Sequence, residues 1–461
     1  MLNKQFIKIY TVKYMYVNIL LVLFLLGSTH SFVPNFFRNT KPFYKQDNHI
    51  ELINNNKIFD KFSGFYGLVG PNVDFYNVTS LFELFTGNGV IQGVFIDNGN
   101  ITFTNHIINT ERYKFEKKFG RKILINLGTL ILNTFNMMPI STGTANTALC
   151  NVKNKTLALY ETDQPYHMKV DFYNKTISTL EKIKIKGISS FSGHTKIKTN
   201  TIETTSYDIL KKTIEFITLD HDLNVLSKLK LKTKYMPVIH DFLSDDNYFI
   251  VFDSPLEFDV KRLFQTSFPV YLNHNKPTYI HILNKKTGET ETFSIDEGFY
   301  TFHFSKFIDK KDHFVIQSTQ VDELDFTNLN FHARLREVRI NKETKKAENK
   351  KFPHLEKISI DFPLKINNKQ TLFSLIEHKK GFVGFVICEN TKIIKKIKLK
   401  DTVIVGEAQI ISLLNTPYLI CFTKKSDKNY LMLMNLKTFS SYDVPIPIKI
   451  TNGFHSLFIK N

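Results

Sequence analysis

The chain has no tryptophan and only three cysteines among 461 residues. Cys150, Cys388 and Cys421 form no Cys-x-x-Cys pair, and their number is odd. That argues against a disulfide framework and against a thiolate metal site. Close-spaced catalytic signatures are missing too. There is no Gly-x-Ser-x-Gly elbow, which disfavours a serine hydrolase. The small residues TGTANTA (Thr142 to Ala148) lack the strand, GxGxxG, helix arrangement of a nucleotide site. No His-Glu-x-x-His pair occurs. Acidic residues are outnumbered, 43 against 61 Lys and Arg, for a formal net charge of +18. Lysine supplies most of that excess, and arginine is not clustered with aromatics as in a nucleic-acid binder. Lysine runs such as KIIKKIKLK from Lys392 instead mix with apolar residues, as in a strand with one wet face. No nucleic-acid partner is expected; peripheral contact with an anionic membrane surface fits the charge better.

The N-terminus also lacks a full membrane span. Lys4, Lys8 and Lys13 precede VNILLVLFLLGSTHS (Val17 to Ser31). A basic start, an apolar core of about a dozen residues and a small-residue end read as a signal peptide over 1–31. A span would need roughly 20 apolar residues. Residues 32–60 begin basic and acid-poor, with Arg38, Lys41 and Lys45, and read as a leader or transit-like segment. The pair resembles bipartite targeting to a plastid through the secretory pathway; plain secretion is the competing reading.

What is abundant is phenylalanine, 43 residues, with 19 tyrosines. Both suit strands and apolar cavities. From about residue 61, short apolar or alternating runs recur between Asn, Asp, Gly and Lys clusters, as in GVIQGVFIDNGNITFTNHII and YFIVFDSPL. Several have the form strand, turn, strand. Helical patterns are few: TSLFELF (Thr79 to Phe85) and GRKILINLGTLILNTF (Gly120 to Phe135) are the better candidates. Short strands sustained over the remaining chain predict an all-β propeller rather than a sandwich, with degenerate blades and no WD-type motif.

Four of the 15 histidines share a setting at the edge of a strand-like run: His194, His240, His303 and His455. They are separated by 46, 63 and 152 residues, roughly one, one and three blades. Taken singly, each reads as an ordinary core histidine. As a set, one inward histidine from each of four blades would converge on the propeller axis. Asp241, beside His240, should point to the opposite strand face and cap a turn. Asp245 and Asp246 read as a solvated hairpin turn rather than a calcium site.

Residues 61–461 resemble the carotenoid cleavage oxygenase family, which includes the retinoid isomerohydrolases. The resemblance is carried by GFYGLVGPNVDF (Gly64 to Phe75), by LFELFTGNGVIQGVFIDNGNITFTNHIINTERYKFE, and by NTALCNVKNKTLALYETDQPYHM, which contains Glu161. DFPLKIN at Asp361, GEAQII at Glu407 and GFHSLF at His455 continue it. It implies a seven-bladed propeller with a helical or loop cap over an apolar tunnel. It implies Fe(II) held by His194, His240, His303 and His455, with Glu161, Asp361 and Glu407 behind the rings. Neutral imidazole suits Fe(II), and outer carboxylates orient the rings and offset the charge. The implied activity inserts both atoms of O₂ across a conjugated double bond of a carotenoid or apocarotenoid, giving aldehyde or ketone products. Retinoid isomerohydrolysis, stilbene cleavage and a non-catalytic apolar-ligand-binding propeller stay open as alternatives.

The chain departs from the family pattern in places. Asp361 stands where the family has Glu, shortening the reach by about 1.5 Å, one C–C bond. Its histidine partner would then be reached through water or by a backbone shift. Thr195 stands in place of a common proline after His194, and Ser305-Lys306-Phe307 replaces the usual continuation after His303.

Overall fold

The computed structural model describes residues 42–43, 49–74, 78, 81–120, 141–259, 270–326, 331–378 and 380–461. Strands dominate these residues, and they group into seven four-stranded antiparallel units. Blade 2 comprises Ala148–Val152, Lys155–Leu159, Tyr166–Asp171 and Thr176–Lys182. Blade 3 comprises Lys196–Ile197, Ile202–Asp208, Thr213–Leu219 and Val225–Lys232. Blade 4 comprises Leu243–Ser244, Tyr248–Asp253, Thr278–Asn284 and Thr290–Ile295. Blade 5 comprises Tyr300–Asp309, His313–Val321, Arg334–Asn341 and Ala347–Lys350. Blade 6 comprises Ser359–Lys365, Gln370–Glu377, Gly381–Glu389 and Lys392–Lys398. Blade 7 comprises Gln409–Leu413, Thr416–Lys425, Lys428–Asn435 and Ser441–Ile446. A short strand, Thr402–Ile404, pairs with both of the last two blades and joins them into one sheet.

Blade 1 closes the ring. Its inner strand is the C-terminal Ser456–Lys460, which pairs with Ser63–Pro71. Gly89–Asp97 and Asn100–Ile107 follow outward, and His49–Leu52 adds a fifth strand. The hairpin between Gly89–Asp97 and Asn100–Ile107 turns on Asn98 and Gly99, both at positive φ (46° and 92°). Asn-Gly is the pair that tolerates those angles in a two-residue hairpin.

The core is a ring of inter-blade layers. Phe65, Val69 and Phe95 of blade 1 pack on Leu149, Ala158 and Met168 of blade 2. On the other face of the same strands, Tyr66, Leu68 and Val94 pack on Ile420, Phe422 and Leu431 of blade 7. In blade 4, Phe249 and Val251 face blade 3, while Ile250 and Phe252 face blade 5. Inner and middle strands are therefore buried on both faces, which is why they read as unbroken apolar runs rather than alternating ones. Outer strands alternate instead: Lys392–Lys398 keeps its lysines in water, and charged edges of this kind discourage edge-to-edge association.

Above the ring lies a cap. The helix Leu81–Phe85, the hairpin Leu256–Phe258 with Val270–Leu272, and Leu324 and Phe326 share one apolar cluster with Tyr300 and Phe302. The Phe82 amide donates to the Phe326 carbonyl (3.1 Å), tying the helix to the loop. The predicted helix at Thr79 to Phe85 forms over Leu81–Phe85. The helix Glu111–Phe119, capped by Thr110 and ended by Gly120 at φ 62°, was not expected, because its apolar residues follow no clear stripe. The second expected helix, over 120–135, lies outside the described residues save for Gly120, as do the signal peptide and about half of the leader.

Candidate metal centre

Each blade delivers one residue to the axis. His194, His240 and His455 stand just before the inner strands of blades 3, 4 and 1, and His303 lies within that of blade 5. Asp361 lies in the inner strand of blade 6, and Glu407 precedes that of blade 7. Glu161 sits in the loop after Lys155–Leu159 of blade 2. The sequence intervals of one, one and three blades thus match the order in the ring.

The four imidazoles converge. Their ligand nitrogens all lie within 4.8 Å of one another. His194 Nε2 and His240 Nε2 are 3.0 Å apart, and His303 Nε2 and His455 Nε2 are 3.4 Å apart. Metal–imidazole bonds of about 2.1 Å place cis nitrogens about 3 Å apart and trans nitrogens about 4.2 Å apart. The cluster has that scale, so a first-row metal fits among the rings. The donor set agrees: on three of the rings the opposite nitrogen, Nδ1, faces a carboxylate, which leaves the Nε2 lone pair for the centre.

The carboxylates grip unequally. His240 Nδ1 donates to Glu161 Oε1 (2.9 Å), and the Thr147 hydroxyl donates to Glu161 Oε2 (2.8 Å). His303 Nδ1 donates to Asp361 Oδ1 (2.8 Å), which also accepts from the Thr319 hydroxyl (2.6 Å). His455 Nδ1 lies 3.4 Å from Glu407 Oε2, an oxygen that also accepts from the Ser456 amide (3.0 Å). His194 has no carboxylate contact among the described residues. A tight turn holds it instead. Its amide donates to Ser192 Oγ (3.0 Å), and the Thr195 hydroxyl donates to the Ser192 carbonyl (3.0 Å) and reaches Thr204 Oγ1 (3.1 Å). Those hydroxyl bonds stiffen the turn where a proline ring would otherwise do so. Gly193 is needed there: a Cβ would lie 2.6 Å from Thr147 Cγ2 and 3.1 Å from Glu161 Oε1.

The short reach of Asp361 is met by a backbone shift. The strand pairing slips between Asp361 and Leu364, and Phe362 adopts φ 53°, rare for a bulky residue. The bulge carries the Asp361 carboxylate directly to His303, without water. It also lays the Phe362 ring against His303 and His455, with centroids 5.1 and 5.2 Å apart. His303 itself sits at a slip between Thr301 and His303, with a second between Phe304 and Lys306. Bulges re-aim side chains in this way.

Asp241 departs from the expectation of a turn cap. It is buried and accepts from the Phe242 amide (2.7 Å), the Lys196 ammonium (2.6 Å) and the Phe304 amide (2.9 Å). It bridges the chain beside His194 to the chain beside His303. Asp245 accepts from the Asn247 and Tyr248 amides at 2.8 and 2.7 Å, as a hairpin turn does. Thr147 and Thr319 had no sequence signal, because only the fold brings them to their carboxylates.

Electrostatics follow from burial and partners. Burial, with the charges of the other three histidines, holds His194 well below the ordinary histidine range. Burial also lowers His240, against the pull of Glu161. For His303 burial acts in the same sense, but the charge and hydrogen bond of Asp361, joined by Asp241 and Glu407, outweigh it and raise the ring. Burial works against ionised Glu161 and Asp361; their histidine and threonine hydrogen bonds prevail and keep both below the usual carboxylate range.

The cluster opens into a cavity of about 210 Å³ under the cap. Phe82, Phe85, Phe302, Phe331, Phe382 and Phe454 supply most of its apolar wall.

Comparison with known proteins bears on this arrangement. Carotenoid 9,10(9',10')-cleavage dioxygenase 1 of Arabidopsis thaliana is 26% identical over 459 residues, 86% of this chain and 84% of that protein. Carotenoid 9,10(9',10')-cleavage dioxygenase of Crocus sativus is 25% identical over 461 residues, 86% and 83% of the two. Cobalt-substituted Synechocystis apocarotenoid oxygenase superposes with a TM-score of 0.76 at 16% identity, over 94% of this chain and 100% of that one. Lignostilbene dioxygenase of Pseudomonas brassicacearum superposes with a TM-score of 0.78 at 14% identity, with the same shares. At such identities the structures speak for the fold alone. The match to the RPE65 family, described as retinal pigment epithelial membrane protein, spans residues 57–460, and the chain belongs to that family of carotenoid cleavage oxygenases.

Proposed function

We propose that this chain is an Fe(II)-dependent dioxygenase that cleaves a conjugated double bond of a carotenoid or apocarotenoid, giving two carbonyl products. One observation carries the reading: four convergent imidazoles, three backed by carboxylates, open into an apolar cavity. The relatives named as carotenoid cleavage dioxygenases, aligned over most of both chains, favour this substrate class.

His194, His240, His303 and His455 would hold the iron, each through Nε2. Fe(II) would supply the one-electron chemistry that lets O₂ react with an alkene. The stoichiometry balances: the C=C bond breaks, and each carbon takes one oxygen atom of O₂. The chain's own residues do the rest. Glu161 and Asp361 keep the proton of His240 and His303 on Nδ1, so neither Nε2 is protonated. Glu407 does the same for His455 across its longer contact. Their negative charge offsets the metal's within a buried site. Phe362 and the phenylalanines of the cap exclude water and hold the polyene by burial and contact.

The direct contact of Asp361 with His303, at 2.8 Å, supports this reading over a non-catalytic apolar-ligand-binding propeller, because the shorter carboxylate still reaches its ring. The test is metal analysis of protein purified without oxygen, followed by incubation with an apocarotenal in air. About one Fe per chain and two carbonyl fragments labelled from ¹⁸O₂ are expected. Iron retention with no oxygen uptake on any polyene would overturn the reading.

Entry into the secretory pathway through residues 1–31, with plastid delivery through 32–60, is part of the proposal. Residues 1–60 fused to a fluorescent protein should reach a plastid; full retention in the secretory path would favour secretion. Peripheral contact with an anionic membrane surface, through the lysine excess, is proposed as well. Among the described residues, no helix is long and apolar enough to cross a membrane.

A further inference from the structure

A second cavity, of about 610 Å³, lies between blades 6 and 7. It backs onto the cavity over the histidines. Lys380 and Val383 line the second cavity, while Phe382 between them lines the first. Asn452 and Phe454 divide in the same way. The turn that enters Gly381–Glu389 and the segment before His455 therefore wall both spaces.

The two cavities differ in kind. Lys380, Lys398, Lys400 and Lys424 line the second, against Glu377 and Asp401, so four positive charges face two negative ones. The lysines arrive from separate elements: the turn before the third strand of blade 6, the end of its outer strand, and the second strand of blade 7. Glu377 is shared, lying 2.6 Å from the Lys398 ammonium and 3.2 Å from that of Lys380. Lys400 has no ion pair among the described residues, and its carbonyl accepts from the Thr402 hydroxyl (2.8 Å), which fixes the lip of the cavity. Lys424 is half-buried and stands across from Val403 in the sheet that joins the blades. Burial holds its ammonium below the ordinary lysine range; Asp427 offsets part of this, and the Lys449 charge adds to it.

Like charges gathered in a concavity focus their field and concentrate anions there. Lysine binds phosphate as a point charge. The volume is that of a small-molecule site rather than of a bare ion, and Val383, Leu399, Val403 and Val405 add an apolar floor. We propose that this cavity binds a phosphate ester, its phosphate between Lys400 and Lys424 and its body on Val383, Val403 and Val405. Two sources offer that chemistry: a soluble phosphomonoester, and the headgroup of an anionic phospholipid. The site is one cavity, not a diffuse lysine-rich surface, and its occupant does not depend on the reaction at the histidines.

Two probes test this on the full chain at constant ionic strength. Glycerol 3-phosphate is titrated by calorimetry. Phosphatidylcholine vesicles with and without phosphatidic acid are tested by co-sedimentation. Each variant is compared with the wild-type chain, so contributions from its other segments cancel. Lys400→Gln and Lys424→Met should each weaken binding about tenfold, the scale of one hydrogen bond to a charged group. Lys396→Gln removes the same charge from the outer strand of blade 6, outside the cavity, and should leave binding unchanged. Lys400 is exposed, so its variant keeps the test valid even where Lys424→Met fails to fold. Binding of glycerol 3-phosphate with this pattern supports a soluble ester. The same pattern with phosphatidic acid vesicles alone supports a lipid headgroup. Binding of neither probe to the wild-type chain, or a loss in Lys396→Gln equal to that in Lys400→Gln, overturns the proposal.

Discussion

His303 and His194 stand on the same axis, with ring centroids 4.9 Å apart, and are held in opposite ways. His303 gives its Nδ1 proton to a buried carboxylate, which is itself pinned by Thr319. His194 leans on no carboxylate; the Ser192–Thr195 turn and Gly193 hold its backbone. A ring can thus be aimed by a proton acceptor behind it or by a rigid turn beneath it. The first also supplies charge, and the second does not.

Removing a ligand should break the comparison most severely. His303→Ala and His194→Ala should both reduce iron from about one per chain to below about a tenth, measured on protein purified without oxygen. Retention in either variant would remove that histidine from the set. Next come the carboxylates. Asp361→Asn should cost about 10- to 100-fold in metal affinity or turnover, the usual toll of an outer partner. Glu407→Gln should cost less, about threefold, because its contact is 3.4 Å rather than 2.8 Å. Equal losses would mean that charge, not hydrogen-bond geometry, sets the effect. Asp361→Glu sharpens this further. The bulge at Phe362 is shaped to a short side chain, so the longer one should lower activity despite keeping the charge.

On the other side of the comparison, Gly193→Ala should push on Glu161 and Thr147 and loosen metal binding by about tenfold. Wild-type affinity in that variant would show that the turn can yield. The smallest effect concerns pH. In the metal-free protein His194 is held well below its ordinary value by burial and its neighbours. The unfolded chain then binds the proton more readily, so stability is present above about pH 6.5 and declines as pH falls below it. His194→Gln should flatten that decline between pH 7 and 5, read from urea unfolding. An identical slope in the variant would place the acid sensitivity elsewhere.

The all-β character was legible in the sequence, because each strand run ended at a turn, and the histidines kept a blade-like interval; the count of seven blades followed only from the family resemblance. KIIKKIKLK read as a half-wet strand and forms an outer one. YFIVF gave no alternation, since a strand between two blades is buried on both faces. Helix Glu111–Phe119 escaped notice because its signals are caps, Thr110 and Gly120, rather than an apolar stripe. Asp241 was read locally as a turn residue, and its partners at Lys196 and Phe304 lie in neighbouring blades that no local pattern reveals.

Local sequence determined where strands begin and stop, which residues are apolar, and which histidines share a context. These depend on backbone preferences and on side-chain chemistry a few residues apart. Tertiary structure alone decided the rest. It brought Ser456–Lys460 back to Ser63–Pro71 to close the ring, so that seven blades meet on one axis. It set how far the Asp361 carboxylate reaches, through a bulge with Phe362 at positive φ. It gathered Phe82, Phe302, Phe382 and Phe454 around one cavity beside the four histidines. Distances between residues hundreds of positions apart are fixed by packing, and packing is a property of the whole chain.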